Sequence, residues 1–376
     1  MTSSLIVTTA SSATSRREHL LACLARVPDP RDRRGRRYEL AGLLAVAVAA
    51  VLAGARSFVA IGQWAQELGV EHLSRIGLAG APEESTLRKL FARLDAAALD
   101  AALAIFAWTR TRVVAGRRLI AVDGKTVRGA RIGPAAAPHL IAALDHDAGV
   151  VLGQIAVADK SNEIPALRDL LASLNPADLA GCVVTADAMH TQTDTAQAIL
   201  DADADYLLTV KANQPRLLAR LKALPWKHVP SHSSTDTGHG RKVTRTIKVV
   251  AAPEWTGFVG AVQVAQLRRT RTHKHKKTVE VVYLITSVNA HHAPPHVLAA
   301  WIRGHWSIEN RLHFTRDVTY DEDRSTVRTG AAPHIMASLR NTAITLLRLT
   351  GWTNIAAGLR HHAHHPNRPI TCLLTS

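Results

Sequence analysis

The chain has 376 residues, 47% of them hydrophobic and 20% charged, which excludes a disordered polyelectrolyte and supplies one large core or two to three modules. Lys and Arg outnumber Asp and Glu by 46 to 30, a formal charge of +16 that makes a polyanion the first partner to consider. Three widely spaced cysteines, Cys23, Cys182 and Cys372, exclude a disulfide framework and predict reduced thiols in a cytoplasmic protein.

Residues 1–15, rich in Ser, Thr and Ala, are expected to be disordered. Arg16–Val27 reads as a short amphipathic helix, and DPRDRRGRRYE (29–39) as a basic loop that contacts phosphate or forms a solvated turn. Leu40–Ala55 is apolar and Ala-dominated, but its 16 residues fall short of the roughly 20 needed to cross a bilayer, so it predicts a buried helix and no membrane span. A second helix, Ser57–Leu68, carries Ile61 and Trp64. Thr86–Leu94 is an amphipathic helix with Arg88, Lys89 and Arg93 outward, and Asp95–Val114 is an Ala-rich helix with Phe106 and Trp108. Residues 1–115 therefore predict a helical, basic domain of the kind that binds DNA ends, although a plain helical bundle has the same signature.

The texture changes at Arg117. Leu119–Val122 is an apolar strand ending in Asp123-Gly124-Lys125, and His139–Asp145 and Val150–Val157 are two more strands. A helix over Asn162–Leu174, a buried strand Cys182–Thr185 ending at Ala186-Asp187, a helix over Thr191–Asp203 and a strand Asp205–Val210 before Lys211 complete the order β-β-β-α-β-α-β. That order is a mixed α/β sheet with helices on its faces, and it puts Asp123 and Asp187 at strand ends, where sheet-based sites are built. Residues 214–295 alternate like antiparallel strands with basic tips, from Arg241 to Arg268–Arg271 and His273–Lys277, and predict a β-rich insertion between two parts of the core, 116–213 and 296–350. In the second part, Trp301–Asp323 predicts a helix with His305, Glu309 and Arg316 on one side and an apolar stripe of Trp301, Ile308 and Leu312 beside them. Residues 351–376 read as a loose, polar, His-rich tail.

Asp123, Asp187 and Glu309 are oxygen-only ligands on strand ends and a helix, a set suited to hard ions such as Mg²⁺ or Mn²⁺. Two such ions can activate an attacking oxygen and stabilise a leaving one in phosphodiester chemistry. Structural roles compete: Asp before Gly commonly forms a turn, Asp187 can cap the next helix, and Glu309 can pair with Arg303, Arg316 or His313. His305, Glu309 and His313 at four-residue spacing are also a zinc pattern, without a third soft ligand.

Five motifs in order, IAVDGKTVRGA, KSNEIPALRDLL, VVTADAMHTQ, DYLLTVKANQP and IRGHWSIENRLHFTRDVTYDED, resemble the ISAs-type, H-repeat-associated insertion-sequence transposases. The likeness extends from DPRDRRGRR near residue 29 to about Leu349. It implies a DDE transposase with a ribonuclease-H-like mixed sheet flanked by helices, in which Asp123, Asp187 and Glu309 hold two Mg²⁺ (or Mn²⁺) ions. It further implies double-stranded DNA partners (inverted-repeat element ends and target DNA), a homodimer or larger assembly on DNA, and nucleoid association. Lys125, Arg128, Lys211, Asn213, Gln214, Arg241, His305, Trp306, Asn310 and Arg316 are the expected DNA contacts. Broader relatives place Tyr, Arg, Glu and Lys along the last helix; here Ile302, His305, Glu309 and Arg316 stand there. Two alternatives remain: a ribonuclease-H-like nuclease without strand transfer, and an inactive transposase-derived DNA-binding protein.

Overall fold

Five strands form the centre of the molecule: β1 (Leu119–Thr126), β2 (His139–Asp145), β3 (Val151–Val157), β4 (Val183–Ala186) and β5 (Asp205–Val210). The computed structural model describes residues 19–111, 117–133, 136–157, 163–238, 240–274 and 276–376, so the expected disorder over 1–15 lies outside the described residues. Their spatial order is β3-β2-β1-β4-β5, antiparallel from β3 to β1 and parallel from β1 to β5. This is the ribonuclease-H-like mixed sheet. Side chains alternate across it. Ile120 and Val122 of β1 enter the core beneath helices α7 (Glu163–Ser173), α8 (Pro176–Leu179) and α9 (Thr193–Asp201), while Leu119 and Ala121 face the other way. Asp123 shares that second face.

Residues 214–295 open with a helix, α10 (Pro215–Lys222), before four strands: β6 (Ser231–Gly238), β7 (Arg241–Ala251), β8 (Gln263–His273) and β9 (Lys276–Thr286). β9 pairs antiparallel with β5 from Leu207↔Thr286 to Val210↔Tyr283. The segment expected as an insertion continues the central sheet to nine strands. Its inner ends are buried (Ile247, Val264, Leu284), and its distal ends extend into solvent as a basic arm.

The second face is covered by helices. α11 (Pro295–His305) packs Leu298 and Ile302 on Leu119, Val183 and Leu207. Beside it a separate core joins α1 (Leu20–Leu24), α2 (Leu40–Leu52), α3 (Phe58–Glu67), α4 (Val70–Arg75), α5 (Glu84–Phe91), α6 (Ala96–Trp108) and α12 (Ala332–Leu349) to Ala121 and Leu144. α2 is buried from Leu43 to Leu52, as an all-apolar helix requires, and none of the described helices is long and apolar enough to cross a membrane. Residues 351–376 depart from the loose tail expected of HHAHHPNR. They form α13 (Ile355–Ala363) and α14 (Asn367–Thr375), whose Ile355, Ile370 and Leu373 join the core around α2. The apolar positions are spaced at helical intervals among polar ones, a pattern masked by the run of His.

Candidate active site

The parallel ladder between β1 and β4 ends at Val122↔Ala186, so Asp123 and Asp187 are the next residues on neighbouring strands. β1 runs on to Thr126 against β2, whereas β4 stops and turns at Ala188–His190, with His190 N–H donating to the Asp187 carbonyl at 3.0 Å. Asp123 is half-buried, its Oδ1 accepting from Gly124 N–H at 2.9 Å. Asp187 is half-buried, and its side chain lies 3.4 Å from Lys211 Nζ, just past β5.

Glu309 reaches this point from a helix that is not regular. After α11 the chain winds as two π-helical stretches, Glu309–His313 and Thr315–Thr319. Ile308 and Leu312 are buried as the apolar stripe predicts. The wider turn rotates Arg316 off the Glu309 side into the interior, where it is 0% exposed. It bonds Glu322 Oε1 at 2.7 Å, and Arg340 Nη1 bonds the same carboxylate at 2.9 Å. The expected DNA contact from Arg316 is therefore replaced by a buried ion cluster tying this helix to α12. His313 stays beside Glu309, with Nδ1 at 3.5 Å from both Asp123 Oδ2 and Glu309 Oε2.

Asp123, Glu309 and His313 each bring a ligand atom within 4.8 Å of the other two. Burial, then the charge of Glu309, with smaller contributions from Glu163 and Asp187, pushes the Asp123 carboxyl up to about 7. Glu309 shifts down, chiefly through its hydrogen bond with His313. The pair consequently keeps a proton on Asp123 near neutrality, and a divalent cation relieves the same repulsion that retains it. Two carboxylates with an imidazole nitrogen fit such a cation. Asp187 stands outside the 4.8 Å group, close enough to act on Asp123 by its charge.

The remaining predicted contacts divide. Lys125 is buried, with Nζ 2.6 Å from Asp317 Oδ1, so it serves an internal pair where a phosphate contact was expected. His305 is buried against β4, Nδ1 at 3.0 Å from Thr185 Oγ1, a hydroxyl also 3.0 Å from His146 Nε2. Burial lowers His305 to about 4, leaving it neutral at pH 7 and without a cationic phosphate contact; among the described residues it is not grouped with Glu309 and His313. Asn213 donates to the Ala188 carbonyl at 2.6 Å and Gln214 to the Thr191 carbonyl at 2.8 Å, so both brace the turn after Asp187. Arg128, Lys211, Arg241, Trp306 and Asn310 remain accessible, Trp306 at 53%. The β7–β8 register sets Arg241, Arg245, Arg269 and Arg271 on the sheet face of Ile247 and Leu267, the face that carries Asp123. Sequence spacing names His313 only as a neighbour of Glu309; its approach to Asp123 is a tertiary contact.

Residues 115–346 match the family model described as "Transposase DDE domain", and residues 21–107 match the one described as "DDE_Tnp_1-associated". The chain is 33% identical over 353 residues to "Putative transposase YncI" of Escherichia coli O157:H7, covering 88% of this chain and 87% of that one. It is 31% identical over 364 residues to "H repeat-associated putative transposase YhhI" of Escherichia coli strain K12, covering 91% and 93%. Among solved structures, a piggyBac transposase synaptic complex with hairpin DNA aligns over 95% of this chain and 78% of that one, at 8% identity and a TM-score of 0.43.

Proposed function

The chain belongs to the DDE transposase family, and from that membership we propose that it binds the ends of its own insertion sequence, cleaves the DNA there and joins the freed 3′-OH to target DNA. The observation that carries the reading is the register that sets Asp123 beside Asp187, with Glu309 converging on Asp123. Asp123, Asp187 and Glu309 would hold two Mg²⁺ (or Mn²⁺) ions, and His313 keeps Glu309 ionised against Asp123. When bound, such ions activate the attacking oxygen and offset charge on the leaving one. Asp123, raised to about 7, would give up its proton to ligate such a cation. Lys211 and Arg128 steady the scissile phosphates, and Trp306 offers an exposed ring for a displaced base.

In the first step water attacks the phosphorus and the bond to the 3′ oxygen breaks, that oxygen taking a proton. In the second the 3′-OH attacks a target phosphodiester, forming one P–O bond while the bond to the target's 3′ oxygen breaks, that oxygen leaving with a proton as the attacking hydroxyl gives one up. Residues 1–115 serve as the end-binding domain, 116–213 with 296–350 as the catalytic core, and the arm within 214–295 as a second DNA surface. Synapsis of two ends requires at least a dimer on DNA.

The test is a supercoiled donor plasmid carrying the element ends, with wild type and Glu309→Gln measured alongside their melting curves. Wild type should give cleaved and joined products. Glu309→Gln should fold and bind the ends normally while cleavage falls by orders of magnitude, because several kcal/mol of transition-state stabilisation is lost. Nicked DNA without joined product identifies a nuclease, binding without cleavage an inactive derivative. Wild-type rates in folded Glu309→Gln remove Glu309 from the site.

A further inference from the structure

Behind β1, on the sheet face opposite the candidate carboxylates, side chains from four separate segments interlock. Thr126 Oγ1 of β1 lies 2.9 Å from His139 Nδ1 of β2, and His139 Nε2 lies 2.9 Å from Glu163 Oε2 in the first turn of α7. Glu163 Oε1 lies 3.6 Å from Nε2 of His190, the last residue of the turn that follows Asp187. His139, Glu163 and His190 are 6%, 7% and 0% exposed. Gly124 makes the room: a Cβ there would sit 2.5 Å from His139 Nε2 and 2.6 Å from Glu163 Oε1. The His139 hydrogen bond, with the His190 imidazole beside it, holds Glu163 down to about 2, so a full negative charge faces both imidazoles.

The sheet cannot fix the Asp123–Asp187 separation by itself, because the β1–β4 ladder ends one residue before each aspartate. Asn213 and Gln214 hold the Asp187 turn from the β5 side. On the α7 side the link from β1 to that turn is Thr126–His139–Glu163–His190. We propose that Glu163 is a positioning residue, clamping His139 and His190 so that Asp123 and Asp187 stand at the separation a shared divalent cation requires. The proposal rests on the carboxylate reading above, and it gives a role to the KSNEIPALRDLL motif, which that reading leaves unused.

The experiment measures Mn²⁺ binding to the full chain from the free-ion EPR signal, with melting curves on the same preparations, for wild type, Glu163→Gln, Glu163→Ala, Gly124→Ala and Asp123→Asn. Loss of an outer partner of a metal ligand typically costs 10–100-fold in metal affinity. Glu163→Gln keeps the shape and one acceptor, so its affinity should fall about tenfold, and Glu163→Ala should fall further, up to about a hundredfold. Gly124→Ala, which leaves Glu163 in place but pushes into the clamp, should fall in the same direction. In each, the affinity of the folded fraction falls, which a purely structural role would not produce. Normal Mn²⁺ affinity in the folded Glu163 variants, with binding lost in Asp123→Asn, overturns the clamp alone. Losses that only track the unfolded fraction overturn it too. Mn²⁺ binding that is equal in wild type and Asp123→Asn overturns the carboxylate reading, and this inference with it.

Discussion

Asp123 is the residue on which the site's electrostatics turn. Its folded pKa of about 7 lies above the ordinary carboxylate value of 3.8, so its proton stabilises the metal-free fold at low pH, and that contribution is lost as pH rises from about 4 through 7. His146 and His305, lowered by burial to about 3 and 4, work the other way: they cost stability as pH falls below about 6.5. A pH scan of wild type alone mixes the two. The difference from Asp123→Asn isolates the carboxyl, and in EDTA the variant should gain melting temperature over wild type between pH 4 and 8. Added Mn²⁺ should narrow or reverse that gain by stabilising wild type only. A constant offset across the pH range would mean that Asp123 ionises normally.

The helical element that carries Glu309 is anchored from beneath by Arg316, Glu322 and Arg340, all within 1% exposure. Burial alone would raise Glu322, but Arg316 and Arg340 outweigh it and hold the carboxyl down to about 2. Glu322→Ala leaves two buried guanidinium groups without their carboxylate and should cost about 3–5 kcal/mol in denaturant unfolding. Arg316→Met should also lower stability while leaving the salt dependence of DNA binding unchanged. A stable Arg316→Met protein whose log–log salt slope drops by about one would return Arg316 to the DNA surface. The arm is the complementary element. Changing Arg241, Arg269 and Arg271 to Ala should reduce that slope by up to about three with little change in melting, since these side chains are on its solvent-facing half. An unchanged slope in this triple variant would take DNA off the arm.

At the scale of the whole molecule, the C-terminal helices close the core that the N-terminal helices begin. Ending the chain at residue 351 removes Ile355, Ile370 and Leu373 from around α2 and exposes an all-apolar helix; the truncated protein should lose its cooperative melting transition or aggregate. A soluble truncation melting within a few degrees of wild type would show that α13 and α14 are dispensable. The sequence by itself determined the succession of strands and helices along the core, the buried character of Leu40–Leu52 and, with the family resemblance, the choice of three candidate carboxylates. Alternating or helical spacing and strand-end Asp residues are local signals, legible without knowing what packs where. Only the tertiary structure decided that β9 joins β5, that the His-rich end folds, that Arg316, Lys125 and His305 turn inward, and that His313 meets Asp123. Each of these depends on contacts between residues far apart in the chain or on a π-helical winding, and neither changes the spacing of residue types that the sequence displays.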